Sequence, residues 1–256
     1  ELGVGGLALG TALAQYCAVG LLLIGAVRSQ GRILRLFRYD FVWHPPTLLR
    51  YFHVGKYLLI RTLLLQAVTL SFIRYGGMIG VTTLAANSLL MQLFTLFSYF
   101  MDGLAYAAEA LVGEAIGARA YKRLGETVSL VLRTGAVTAL TVSLIYLLIP
   151  HPFLTLLTDK EEVLRRALEY SYWMGAVPLV SFGAFLWDGI LVGATDSRTM
   201  GVAMIFAAMT FFLVAQLTLV PFGVHGLWLA FLAYLLVRSL LEHRWGSRLI
   251  RSYGKA

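Results

Sequence analysis

Asp102 and Glu109 stand seven residues apart in the stretch 101–119, MDGLAYAAEALVGEAIGAR, with Tyr106 between them. On a helix turning 100° per residue, such carboxylates lie within roughly 20° of one line and two turns apart. An ionised carboxylate at mid-bilayer costs about 2.5 to 3.5 kcal/mol, so neither is expected to face lipid. Three more charges fall inside apolar runs: Arg61, Arg133 and Asp188. Left unpaired at the membrane centre, the five would cost roughly 12 to 17 kcal/mol, comparable with a whole domain's stability. Pairing or hydration is therefore required, and a polar cluster is expected among the helices.

Two kinds of chemistry fit that cluster. In one, an acid takes up a proton and couples that event to binding a cationic or amphiphilic solute; Asp102, Glu109, Asp188, Tyr106 and Arg61 are the candidates. In the other, Arg61 and Arg133 permanently neutralise two of the acids and tie helices together. Met91, Phe94, Phe97, Tyr99 and Phe100 precede Asp102, and Trp173 and Trp187 lie in the same apolar run as Asp188. Such side chains can accept a lipophilic cation or simply pack.

These residues sit in a chain that is 59% hydrophobic and 13% charged, well below the roughly 25% charged residues of a soluble domain. An all-α integral membrane protein follows. The single cysteine, Cys17, has no disulfide partner, and no CxxC or HExxH spacing occurs, so neither a metal site nor a cofactor is expected. No nucleophile, base and oxyanion arrangement or phosphate loop marks an enzyme or a catalytic residue. The formal charge of +8 is better explained by membrane topology than by nucleic acid. Glu1 leads directly into an apolar run without an initiator Met or a basic leader, so the chain reads as a fragment.

Seven apolar runs are long enough to cross, or nearly cross, about 30 Å of hydrocarbon. They cover approximately 2–27, 57–73, 82–116, 127–149, 167–194, 202–220 and 226–241. The third is too long for a straight span and carries Gly113 and Gly117 as a small-xxx-small step. Thr158 and Glu161 are spaced as a capping box leading into the fifth run, where Pro178 predicts a kink. Connectors on one side hold 15 Lys/Arg, including Arg238, against 4 on the other, which predicts a cytoplasmic C-terminus. Within the basic connector 28–56, arginines recur every three residues from Arg32 to Arg38 among apolar side chains. An interfacial helix on anionic membrane lipid and a plain orienting connector both fit.

GVGGLAL at 3–9 echoes GVHGLWL at 223–229, an offset of 220 residues. As a repeat, it would make the first and seventh runs equivalent helices of two six-span units, an architecture common in transporters. Five preceding spans would then be missing.

The 101–119 stretch, with LIRTLLLQ around Arg61, FLWDGILVGATDSRTM around Asp188 and both GVxGL openings, resembles the DinF branch of the multidrug and toxic compound extrusion (MATE) transporters. One departure is Gly201, where the family often has a basic residue. The resemblance implies a twelve-helix antiporter exporting amphiphilic, often cationic compounds in exchange for protons or sodium ions. It implies that 1–27 is the last helix of the N-terminal lobe, 28–56 the connector between lobes, 57–241 the C-terminal six-helix lobe and 242–256 a basic cytoplasmic tail. It places the protein in the cell's inner membrane, with the N-terminal lobe as its partner. It also implies an essential proton-binding aspartate in that lobe, outside this chain. The alternatives are a lipid-linked oligosaccharide flippase of the same superfamily, favoured by a cationic cavity, and a non-transporting membrane scaffold.

Overall fold

The computed structural model describes residues 3–29 and 45–254, so the arginine-rich stretch 32–38 lies outside the described residues. Among the described residues there are nine helices: α1 (Gly3–Ser29), α2 (Pro45–Ile79), α3 (Val81–Gly117), α4 (Tyr121–Leu148), α5 (Pro150–Thr155), α6 (Glu161–Tyr170), α7 (Tyr172–Gly193), α8 (Ser197–Phe222) and α9 (Val224–Tyr253). All but α5 and α6 contain a window long and apolar enough to cross a membrane, giving seven candidate spans. The chain is an all-helical, multi-pass membrane protein.

Contacts divide it into two units, Glu1–Phe52 and His53–Ala256. In the first, α1 keeps Leu9, Leu13, Leu21 and Leu22 exposed. In the second, α7 is the central helix, packing on α3, α4 and α9, while α8 packs on α9. Small residues permit this crowding. A Cβ on Gly189 would meet the Ala105 carbonyl oxygen at 2.1 Å, and one on Gly193 would meet that of Glu109 at 2.5 Å, so α3 and α7 touch backbone to backbone. The expected step at Gly113 and Gly117 makes a smaller contribution: Gly113 stands at ordinary contact distance from α7 and Gly117 faces open space.

α2 is attached by a single stripe, since Val68, Phe72 and Gly76 are its buried residues among those described. Gly201 on α8 lies against α2, where a Cβ would come within 3.2 Å of the Tyr57 carbonyl oxygen. A bulky basic side chain at this departure from the family pattern would collide there.

Two details differ from expectation. Thr158 forms no capping box with Glu161; its Oγ1 instead accepts from the Lys160 N–H at 3.2 Å, and α6 ends before α7 begins. The seventh run does not stop at Leu241 but continues as α9 to Tyr253, because Glu242 and Gly246 are buried against neighbouring helices.

The buried apolar side chains form two clusters. The first ends at Met101 on α3, Val177 on α7 and Leu235 on α9. The second resumes at Ala108 on α3 and Leu186 on α7. Between them lies a charged layer.

Candidate functional site

Four helices supply that layer. Arg61 of α2 and Arg238 of α9 both donate to Asp188 Oδ2 on α7. Arg238 and Glu242 are one helical turn apart, and Arg238 Nε donates to Glu242 Oε1 at 3.2 Å. Glu242 is 0% exposed, Arg238 3% and Asp188 8%, so the network lies within the bundle. Removing such charges from water is costly, and the arrangement persists because each carboxylate meets an arginine. Asp188 Oδ1, Glu242 Oε2 and Arg61 Nε are buried without a hydrogen-bond partner among the described residues.

Asp102 approaches from α3. It is partly buried and lies within electrostatic range of Asp188, Arg61 and Arg238, yet forms no direct ion pair among the described residues. Tyr234 closes the layer from α9, one turn before Arg238, and its hydroxyl donates to Met204 Sδ at 3.3 Å. With all groups ionised, two arginines face three carboxylates, leaving one negative charge. This excess is the site's chemical capacity: it can be matched by a proton, a metal cation or a cationic solute.

The structure thus brings Arg61, Asp188 and Asp102 together and leaves other candidates apart. Glu109 is partly buried but makes no hydrogen bond or ion pair among the described residues. Tyr106 is 71% exposed, pointing away from the core face formed by Met101, Ala105 and Ala108. Arg133 is exposed and forms no ion pair among the described residues; it lines a groove with Trp187 and His243. Arg238 and Glu242 were assigned by sequence to the cytoplasmic end and tail. Their spacing of four, one turn beyond Tyr234, is the signal that could have placed them. Among the described residues no group of three or more His, Cys, Asp or Glu is placed to hold a metal ion.

A separate notch of about 200 Å³ opens between α2 and α3, lined by Thr69, Phe72, Asn87, Met91, Gln92 and Thr95. Asn87 Oδ1 accepts from Trp228 Nε1 at 3.1 Å, while Asn87 Nδ2 is buried without a partner among the described residues.

The family model described as MatE matches residues 58–217. The chain belongs to the MatE family. Over 246 residues it is 33% identical to DNA damage-inducible protein F of Escherichia coli (strain K12), covering 94% of this chain and 52% of that protein. It is 28% identical over 162 residues to the chloroplastic Protein DETOXIFICATION 44 of Arabidopsis thaliana, covering 62% of this chain and 30% of that protein. A crystal structure of MATE in the bent conformation superposes with a TM-score of 0.68 at 21% identity, covering 74% of this chain and 43% of that one. A MOP superfamily transporter from Pyrococcus furiosus, described as having a binding pocket of reverse polarity, gives 0.66 at 20% identity, covering 75% and 43%. At these identities the solved structures speak to fold alone. The chain spans about half or less of the length of these curated relatives. MatE proteins are transporters rather than enzymes. The MatE match ends before Arg238 and Glu242, so two of the layer's five charged groups lie beyond it.

Proposed function

We propose that this MatE chain acts as the C-terminal lobe of a secondary antiporter that exports amphiphilic or cationic compounds in exchange for protons or sodium ions. The single negative charge left over in the layer carries this reading. One uncompensated charge accommodates one monovalent cation favourably. A coupling ion and a cationic solute therefore compete for the same neutralising role, and exclusion of one by the other is the basis of antiport. Asp102 is the working acid in this scheme, because Asp188 is engaged by two arginines and Glu242 by one. Arg61 and Arg238 are positioning residues that hold Asp188 in place. Tyr106 and Glu109, on or beside exposed parts of α3, are candidates for lining the path towards the other lobe. The net negative balance favours this reading over the oligosaccharide flippase, which calls for a cationic cavity.

The charge count supports an inner-membrane orientation with a cytoplasmic C-terminus. Removing Arg238 from the connector total leaves 14 Lys/Arg against 4, so the bias survives the correction.

The test is proton release on adding a lipophilic cation to the two-lobed transporter in detergent, comparing wild type with Asp102→Asn. Release is expected in the wild type and lost in the variant, whose layer is already neutral. Undiminished release from Asp102→Asn would move the coupling carboxylate elsewhere and sink the assignment.

A further inference from the structure

α4, α7 and α9 enclose a groove that the transport reading does not use. Its apolar part, about 510 Å³, is lined by Leu132, Ala136, Leu179, Val180, Leu236 and Leu240, with Arg133 on one wall. Leu240 and His243 also border a second, open concavity of about 810 Å³ along α9, whose other described lining residues are Arg244, Ser247, Arg248, Arg251 and Ser252. The two therefore adjoin at Leu240 and His243, one mainly apolar and the other basic. Among the described residues, no acidic side chain lines either.

The basic part has a defined chemistry. Arg244, Arg248 and Arg251 follow one another at four and three residues and share one face of α9. Arg251 Nε donates to the Ser247 carbonyl oxygen at 3.1 Å, which orients the guanidinium while leaving its terminal nitrogens available. Arg244 and Arg248 form no ion pair among the described residues. Trp187 Nε1 donates to His243 Nδ1 at 3.2 Å, so the neutral imidazole carries its hydrogen on Nε2. The position along the helix also matters. About 20 residues cross the hydrocarbon, so a helix starting at Val224 emerges near residue 243. Leu236 and Leu240 then lie at acyl-chain depth, and the three arginines at headgroup depth.

We propose that this groove is a binding site for an anionic phospholipid. Arg244, Arg248 and Arg251 hold the phosphate, Ser247 donates to it, and one acyl chain lies in the slot between Leu179 and Leu236. Guanidinium forks match phosphate geometry, and the adjoining slot requires that the phosphate carry a chain. A phosphodiester without a chain would leave the apolar part unused.

The experiment is native mass spectrometry of the purified protein in a neutral detergent, titrated with phosphatidylglycerol, phosphatidylcholine or inorganic phosphate. Phosphatidylglycerol is expected to bind at least about tenfold more tightly than phosphatidylcholine. The triple variant R244Q/R248Q/R251Q should abolish that preference. R119Q/K122Q/R198Q, which removes the same charge from exposed sites, should leave it within about threefold. Ala136→Phe, and independently the half-exposed Leu179→Gln, should weaken phosphatidylglycerol while leaving phosphate unaffected. Equal weakening by both triple variants would reduce the site to diffuse basic charge and overturn the proposal. So would full displacement by inorganic phosphate, or indifference to both slot variants, since either outcome makes the ligand a soluble anion.

Discussion

Arg238 sits between two carboxylates, and the two removals it permits have different consequences. Glu242→Leu leaves two arginines facing Asp188, with Asp102 the remaining nearby acid; breaking one side of a buried pair typically costs about 3 to 5 kcal/mol. Adding Arg238→Met restores a one-to-one pairing of Arg61 with Asp188. The double variant is therefore expected to be more stable than Glu242→Leu alone, as read by thermal unfolding in one detergent. A double variant as unstable as the sum of its parts would mean that the two residues act independently. Asp188 and Arg61 were legible because a charge within an apolar run stands out. Glu242 was not, because the sequence turns polar at 242–244 and reads as a tail, and Arg238, four residues earlier near the end of the seventh run, was counted with that tail's orienting charges. Their burial depends on α7, 50 residues earlier, and a pattern confined to one helix does not report contacts at that separation.

At the scale of the helices, the seven spans follow from length and apolarity, which are local properties. Which faces meet is decided by surface shape. The small residues of 101–119 correctly mark α3 as crowded, but the glycines that let α7 approach it are Gly189 and Gly193 of α7, against Ala105 and Glu109. Gly189→Ala forces a methyl into the Ala105 carbonyl and is expected to cost at least about 2 kcal/mol, near the upper part of the usual range for overpacking. Gly117→Ala meets open space and should change stability by less than about 0.5 kcal/mol. Equal melting temperatures for these variants would contradict the backbone contact between α3 and α7. Pro178 lies within α7, and the helix continues through it from Tyr172 to Gly193. Nearby, Ser143 of α4 donates to the Gly175 carbonyl oxygen.

The molecule as a whole matches roughly half of the Escherichia coli relative. Alternating access rocks two bundles about a shared site, and the described helices of the second unit make one. Expressed alone, the chain is expected to give no efflux of a lipophilic cation; expressed with the preceding spans, it should export it. Efflux by the isolated chain, measured in reconstituted vesicles, would remove the need for a second lobe. The charged layer also imposes an order in time. Arg61 is synthesised 127 residues before its carboxylate partner Asp188, and Arg238 follows 50 residues later still. At about 5 to 20 residues per second, roughly 6 to 25 seconds separate the emergence of Arg61 from that of Asp188. During that interval α2 carries a cation that the hydrocarbon does not tolerate cheaply. Its release into lipid is expected to await α7, so that this lobe inserts as a group of waiting helices rather than one span at a time.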